Sequence, residues 1–363
     1  MNPSSQRTVE QRVEQLRSRL VAANLTGMLI VEEHNRRYIS GFTGSTGWVL
    51  VTRSDALLIT DGRYWDRVTH ESPSYTLVRV TRDYDTSLRE VLASLAGRVG
   101  FEGDTVTVNQ FERVLKPMEH IAWVPADGLL RELRMVKSDE ELAAIRRAAH
   151  LTDEAMARVP EMLRPGMTEA DLAWALEKYM REHGAEGLAF PIIVAFGENS
   201  ALPHAEPGER RLKQDMALCI DMGARVDGYC ADLTRSFWYG PHPPEAYLRA
   251  WEAVRAALTA ALVSAVPGVS GREVDAAARD TLGVYGLADA FLHSVGHGVG
   301  LAIHEYPRLS RRAFDVLEAR HVITVEPGVY LSGQWGIRLE ELLIVWDNGP
   351  EVVSRAPLWR VVV

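Results

Sequence analysis

The chain has 363 residues, 47% of them hydrophobic and 25% charged, and a formal net charge of −9. That length holds two domains and a large core, and the composition is that of a globular protein rather than a disordered or fibrous one. The acidic balance argues against a nucleic-acid partner, which needs a basic face, and no apolar run is long enough to span a bilayer.

The chain opens with Met1-Asn2-Pro3-Ser4-Ser5, which lacks the apolar core of a signal peptide. Two cysteines, Cys219 and Cys230, are too few for a disulfide framework. The expected compartment is therefore the cytoplasm, with no membrane partner.

Residues 8–23 read as an amphipathic helix with Val13, Leu16, Leu20 and Val21 on one side. Strands are expected at 27–31, around 48–51, around 56–59 and at 75–80, with a helix from about Thr86 to Leu95. This alternation predicts a smaller α/β domain spanning residues 1–130. The stretch 130–137 reads as a linker to a second domain, 131–363. Ser138 and Glu141 then form a capping box, opening a helix with Leu142, Ile145 and Ala149 at helical spacing.

The second domain carries an internal repeat. Arg164-Pro165-Gly166-Met167-Thr168 opens a helix that stops at His183-Gly184, and Val266-Pro267-Gly268-Val269-Ser270 opens one that stops at Tyr285-Gly286, an offset of 102 residues at both ends. Each start has a hydroxyl N-cap and each stop a glycine. Leu218-Cys219-Ile220-Asp221-Met222-Gly223 resembles Ile323-Thr324-Val325-Glu326-Pro327-Gly328 in the second half. A further acidic strand follows in each half, carrying Asp232 and Glu340. Packing about a pseudo-twofold axis would bring all four carboxylates together.

Asp221 and Glu326 each follow an apolar strand and precede a glycine turn, where a charge is costly unless neutralised. His297 sits in Gly296-His297-Gly298-Val299-Gly300, where glycines favour close backbone approach. A lone acidic residue in a strand is usually solvated or ion-paired; five such residues in fixed order make that reading poor. Hard oxygen ligands with one imidazole suit Mn²⁺, Co²⁺ or Zn²⁺. Bridging carboxylates set two such ions roughly 3.5–4 Å apart with a hydroxide between them. Glu326 is the candidate to take the nucleophile's proton and pass it to the leaving nitrogen.

Cys219 and Cys230 lie within two residues of an aspartate and on its strand face, so thiolate ligation competes with burial as small core residues. His204, His293 and His304 are candidates to bond the scissile carbonyl or shuttle a proton, against a core or surface role. Arg338 shares a strand face with Glu340, where it either orients that ligand or binds a substrate carboxylate. His183 and His321 read as helix-end or surface residues.

These residues carry a resemblance. Met135-Val136-Lys137-Ser138-Asp139-Glu140-Glu141, Pro203-His204, both aspartate motifs, the 293–304 segment and both glutamate motifs resemble the pita-bread metallopeptidases, the group of methionine aminopeptidase, aminopeptidase P and prolidase. The resemblance implies an α+β pita-bread catalytic domain behind a creatinase-like N-terminal domain. It also implies two divalent metal ions per subunit, manganese first, on Asp221, Asp232, His297, Glu326 and Glu340. By the same resemblance Glu326, His204 and His304 are catalytic, and His293 and Arg338 line the substrate site. The N-terminal domain and short length look like compact bacterial Xaa-Pro dipeptidases, so the expected reaction is hydrolysis of Xaa-Pro dipeptides. Aminopeptidase P activity on longer peptides is the close rival, and an inactive protein-binding module is a third reading that predicts lost ligands. Tyr330 and Trp335 are candidates for an aromatic proline pocket. Glu341 stands where relatives usually carry aspartate, which puts fine substrate choice in question. Relatives are usually homodimers, for which Trp48, Tyr64 and Trp65 are candidate contacts.

Overall fold

The computed structural model describes residues 3–363, with side chains from residue 6 onward, so the head of the Met1–Ser5 leader lies outside the described residues. The chain divides into two compact units, Met1–Arg134 and Met135–Val363.

A six-stranded mixed sheet organises the first unit. Its strands lie in the order Thr76–Val80, Ala56–Asp61, Trp48–Thr52, Gly27–Ile30, Gly97–Phe101, Ile121–Pro125. Every residue of Gly27–Ile30 and Trp48–Thr52 is buried. This is why those strands read as unbroken apolar runs and not as alternation. The first helix is longer than expected, Pro3–Ala22. Val13, Leu16 and Leu20 are buried on it, but Val21 is exposed, one position off the stripe.

Several helices escaped the sequence pattern, two of them early in this unit. Glu33–Ser40 is polar in composition; it forms because the Glu32 carboxylate caps the Asn35 N–H and Gly41, at φ 76°, ends it. Its buried Arg36 is held by the carbonyls of Val31, Gly44 and Gly47. Trp65–Glu71 is the second, a single short helix after a tight turn. The stretch read as a linker is also helical: Gly128–Met135 buries Leu130 and Leu133, and Tyr38 Oη donates to the Leu133 carbonyl.

The second unit opens with the helix Asp139–Ala157 behind the Ser138–Glu141 capping box. Its repeat is visible in detail. The helices Glu169–Glu182 and Gly271–Val284 have 14 residues each, capped by Thr168 and Ser270 through a full capping box. Gly166 and Gly268 both take φ 87°, a left-handed turn that only glycine enters cheaply. The same two backbone bonds tie each turn down: Gly166 N–H to Leu212 O and Leu212 N–H to Met167 O, then Gly268 N–H to Leu317 O and Leu317 N–H to Val269 O.

A strand pair follows in each half. Met216–Met222 lies between Ile193–Phe196 and Leu233–Tyr239, antiparallel to both. Val322–Val325 pairs with Glu341–Ile344 on one side and bridges to Gly296–Gly298 on the other. Leu218, Ile220 and Met222 enter one core with Leu172 and Leu176 of the first repeat helix. Ile323, Val325 and Leu343 enter the other with Val274 and Leu282 of the second. Each half thus buries its helix against its own strand pair, with the acidic positions near the ends of the ladders: Asp221 within one, the others just beyond.

Candidate metal centre

Asp221 lies inside the strand Met216–Met222, directly opposite Thr234. Its apolar neighbours Ile220 and Met222 point to the core, so strand alternation sends Asp221 to the other face. Asp232 precedes the strand Leu233–Tyr239 and is buried. Glu326 and Glu340 lie one residue beyond the last pair of their ladder, Val325 with Glu341. One ligand oxygen each from Asp221, Asp232 and Glu340 falls within 4.8 Å of the others. His297 joins the remaining carboxylate to them: its Nε2 is 3.5 Å from Asp232 Oδ2 and 3.4 Å from Glu326 Oε1. All five sequence candidates therefore meet at one place.

This place is short of positive charge. Burial, then repulsion from Glu340, Asp221 and Glu326, pushes the Asp232 carboxyl well above its usual range. Glu340 moves up for the same reasons, and burial chiefly takes Glu326 to about 8. Burial and the neighbouring His304 hold His297 down at about 3, so its ring is neutral. Its Nδ1 sits 3.0 Å from the Gly298 carbonyl, which can only accept, so Nδ1 carries the hydrogen. The bare Nε2 lone pair then faces carboxylate oxygens. Asp221 Oδ1 and Glu340 Oε1 are buried with no hydrogen-bond partner. A proton relieves one such contact; divalent cations relieve all of them, and the donor set of carboxylates plus one imidazole matches such ions. The residues fit the group.

Arg338, 3% exposed, organises the surrounding shell. Its Nη2 donates to Asp221 Oδ2 at 2.7 Å, and its Nε to Thr234 Oγ1 at 3.1 Å. Thr234 donates in turn to Glu340 Oε2 at 2.7 Å. Arg338 therefore orients Asp221 directly and Glu340 through Thr234. Its Nη1 donates to Tyr330 Oη at 2.8 Å and to the Pro203 carbonyl at 3.2 Å. Tyr330 lies 2.8 Å from His293 Nε2, whose other nitrogen bonds the Ser294 carbonyl. The chain of donors runs Arg338, Tyr330, His293. Burial, then the Arg338 charge, lowers His293 to about 3.

The remaining histidines border the cluster. His304 stands edge-on to His297, ring centres 4.4 Å apart. His204 is solvent-exposed, follows the carbonyl that Arg338 grips, and repels positive charge on His293 and His304. Two buried carboxylates on the repeat helices pin these segments. Glu169 accepts from Phe196 N, Asn199 Nδ2 and Gly208 N, bracketing His204. Asp275 accepts from Val295 N and from Arg279, which also grips the carbonyls of Phe291 and His293.

Several expectations need correction. Trp335 is a core residue, packed edge-on to Tyr247 at 5.2 Å, and does not line the site. His321 is buried, its Nδ1 accepting from Glu318 N, and is not a surface residue. Of the two readings for the cysteines, burial as small core residues holds: Cys219 packs with Ala195 and Ala205, and Cys230 reaches the Leu301 carbonyl, both outside the acidic cluster. Glu341 pairs with buried Arg235 at 3.0 Å, next to Glu340, whose carbonyl the same arginine holds. Of the candidate dimer contacts, Trp48 is buried in the first unit's core, while Tyr64, packed on Phe42, and Trp65, whose Nε1 bonds the Thr60 carbonyl, are half-buried and not contradicted. His183 stacks on Tyr179 at the helix end, as its position implied.

Sequence reasoning missed Thr234 and Arg235. Arg235 holds the carbonyls of Thr234 and Glu340 from below. Thr234 was readable, since an antiparallel partner directly opposite Asp221 is bound to touch its surroundings.

Comparison with known proteins agrees with this architecture. Residues 143–347 match metallopeptidase family M24, and residues 12–136 match the creatinase/prolidase N-terminal domain. An Xaa-Pro dipeptidase from Pyrococcus furiosus is 31% identical over 96% of this chain and 98% of its own. The structure of an Xaa-Pro dipeptidase from Bacillus anthracis superposes with a TM-score of 0.92 at 35% identity, covering 97% of this chain and 99% of that one. An X-Pro aminopeptidase from Thermotoga maritima gives 0.90 at 33% identity, covering 96% and 99%. The chain belongs to metallopeptidase family M24, with a pita-bread catalytic domain behind a creatinase-type N-terminal domain.

Proposed function

We propose that this chain hydrolyses the Xaa-Pro bond of dipeptides, using two divalent cations held by Asp221, Asp232, His297, Glu326 and Glu340. The observation that carries this reading is the gathering of those five groups around two buried, unpartnered carboxylate oxygens, Asp221 Oδ1 and Glu340 Oε1. Relatives named Xaa-Pro dipeptidase along the full chain supply the substrate class. We assign the chemistry to residues 131–363 and treat 1–130 as the accessory domain. Manganese is the expected metal, since the set is oxygen-rich, with cobalt and zinc as substitutes. Both cysteines are free, which supports a cytoplasmic enzyme, and we expect a homodimer.

Bound there, the cations supply Lewis acidity to the scissile carbonyl and to the attacking water. The protein's own groups do the rest. A Glu326 carboxylate oxygen takes the water's proton and returns it to the proline nitrogen. His304 and His204 donate hydrogen bonds to the carbonyl oxygen as it gains charge. His293, Tyr330 and Arg338 form the wall that holds the substrate. Proline is preferred because an Xaa-Pro bond has no N–H for strand-type docking, so a site that grips the amino end and carbonyl gains by comparison.

Activity on Ala-Pro and Ala-Pro-Ala before and after chelation tests this. Loss of activity on chelation and return with Mn²⁺ is expected; full activity without metal overturns the reading. Equal or better cleavage of Ala-Pro-Ala would favour the aminopeptidase P reading, which the likeness to the T. maritima X-Pro aminopeptidase supports. No hydrolysis of either peptide with Mn²⁺ bound would favour an inactive binding module, a reading that the presence of all five residues opposes.

A further inference from the structure

The loop between His297 and His304 is clamped from a direction that ligand chemistry does not require. Lys137 Nζ donates to Glu305 Oε1 at 2.8 Å, and the two side chains are only 1% and 8% exposed. Both lie in the second unit, 168 residues apart. Lys137 is itself held rigidly: its N–H donates to the Arg320 carbonyl at 3.1 Å, and Arg320 Nε donates back to the Lys137 carbonyl at 2.5 Å. Glu305 is the residue after His304, and it pairs with Gly298, the residue after His297, across a ladder that bulges between His297 and Gly298.

The other carboxylate oxygen of Glu305 accepts from Ala302 N at 3.4 Å. Gly300 is packed so closely that a Cβ there would lie 2.3 Å from Glu305 Oε1. At its base the loop is fixed by Cys230, whose N–H donates to Gly300 O and whose thiol reaches Leu301 O. Lys137 is therefore a charged, buried anchor of the tip. A buried ion pair is seldom retained for stability alone, because desolvation offsets most of the Coulomb gain. In the residue next to Glu305, the His304 ring stands 4.4 Å from His297.

We infer that Lys137 and Glu305 are positioning residues for the reaction, holding the Gly300–Glu305 loop so that His304 faces the acidic cluster. This rests on the catalytic role proposed for His304. Without the pair the loop keeps its base but loses its tip, and His304 moves off the reacting carbonyl. A displacement of about 1 Å at such a group can cost about 100-fold in rate.

The test compares Lys137→Met, Glu305→Leu, the double variant Lys137→Met/Glu305→Leu, and His304→Ala. Each is measured with Mn²⁺ for Ala-Pro turnover, metal content and thermal unfolding, and metal-free by ¹⁵N–¹H correlation of the histidine rings. Glu305→Leu leaves the buried Lys137 ammonium without its carboxylate, Lys137→Met removes the ammonium from Glu305, and both single variants are expected to unfold early. The double variant removes both charges and is expected to regain the wild-type melting temperature and metal content. Its kcat is expected to stay down about 10- to 100-fold with KM within about twofold, and adding His304→Ala is expected to cost little more. Its His304 ring resonances are expected to move while those of His204 stay. A well-folded double variant with wild-type kcat and unmoved His304 resonances overturns the inference and leaves the pair structural. If the wild type cleaves no Xaa-Pro peptide, the functional reading fails by itself, and the His304 resonances still decide whether the pair positions that ring.

Discussion

The two halves of the catalytic unit share a frame and divide the chemistry unequally. Both build a left-handed glycine turn, a capped 14-residue helix and an antiparallel strand pair. The first half contributes aspartates and the second glutamates. Asp221 sits within its ladder, opposite Thr234, whereas Glu326 sits one residue past the end of its own. For this pair, the extra methylene of Glu326 extends a carboxylate that starts beyond its ladder, so side-chain length compensates for backbone position; Asp232 and Glu340 both lie one residue outside their ladders, and their difference in length has no such account. The second half also carries His293, His297, His304, Tyr330 and Arg338, so the duplicated frame supplies convergence while one copy supplies most of the proposed substrate wall.

The strongest way to break this comparison is to delete the corresponding acid from each half. Asp232→Ala and Glu340→Ala should both abolish Ala-Pro turnover while unfolding stays cooperative by calorimetry. Survival of either activity would show that the halves do not contribute equivalent ligands. The length argument makes a subtler demand. Glu326→Asp and Asp221→Glu preserve charge and change only reach, and each should lower kcat by about 100-fold; a near-wild-type rate for Glu326→Asp would end the compensation argument.

The pH response of metal-free protein sharpens the comparison further. Glu326 has its folded pKa raised from an ordinary 4.5 to about 8. Between those values the native state binds more protons than the unfolded state, so stability falls as pH rises through that window. His293 and His297 are shifted down to about 3, so their contribution is whole above pH 6.5 and is lost as pH falls below it. From pH 6.5 to 8.5 the carboxylates alone act, and the melting temperature should fall. Glu326→Gln should flatten that fall, and added Mn²⁺ should reverse it. The smallest effect concerns the frame itself. Gly166→Ala and Gly268→Ala meet nothing within 4 Å and differ only in forcing φ 87° on alanine. Each should destabilise by about 1–2 kcal/mol in denaturant melts, equally, with kcat unchanged.

The sequence was most legible where chemistry is local. Asp221 and Glu326 stood out because apolar strand residues run directly into a charge and a glycine turn. The repeat stood out because turn glycine, hydroxyl cap and stop glycine are each dictated by backbone geometry within a few residues. What failed was whatever depended on distant partners. Lys137 and Glu305 meet across 168 residues, and nothing in either neighbourhood announces the other. Trp335, two residues from Ile337 and three from Arg338, sits in the core because it packs on Tyr247, far away in the chain. His321 is interior because Glu318 caps its ring from an irregular turn with no periodicity to read. The polar helix Glu33–Ser40 hid for a related reason: its buried arginine is satisfied by loop carbonyls, not by an apolar stripe.

Arg338 bears on how such a centre tolerates its own charge. It is a permanent cation seated between Asp221 and the Thr234–Glu340 arm, and it sits 4.0 Å from Glu326. Part of the repulsion among the four acidic side chains is thus offset by the polypeptide itself, through a guanidinium that cannot give up its proton. Replacing that arginine would leave the whole neutralisation to protons and inorganic ions.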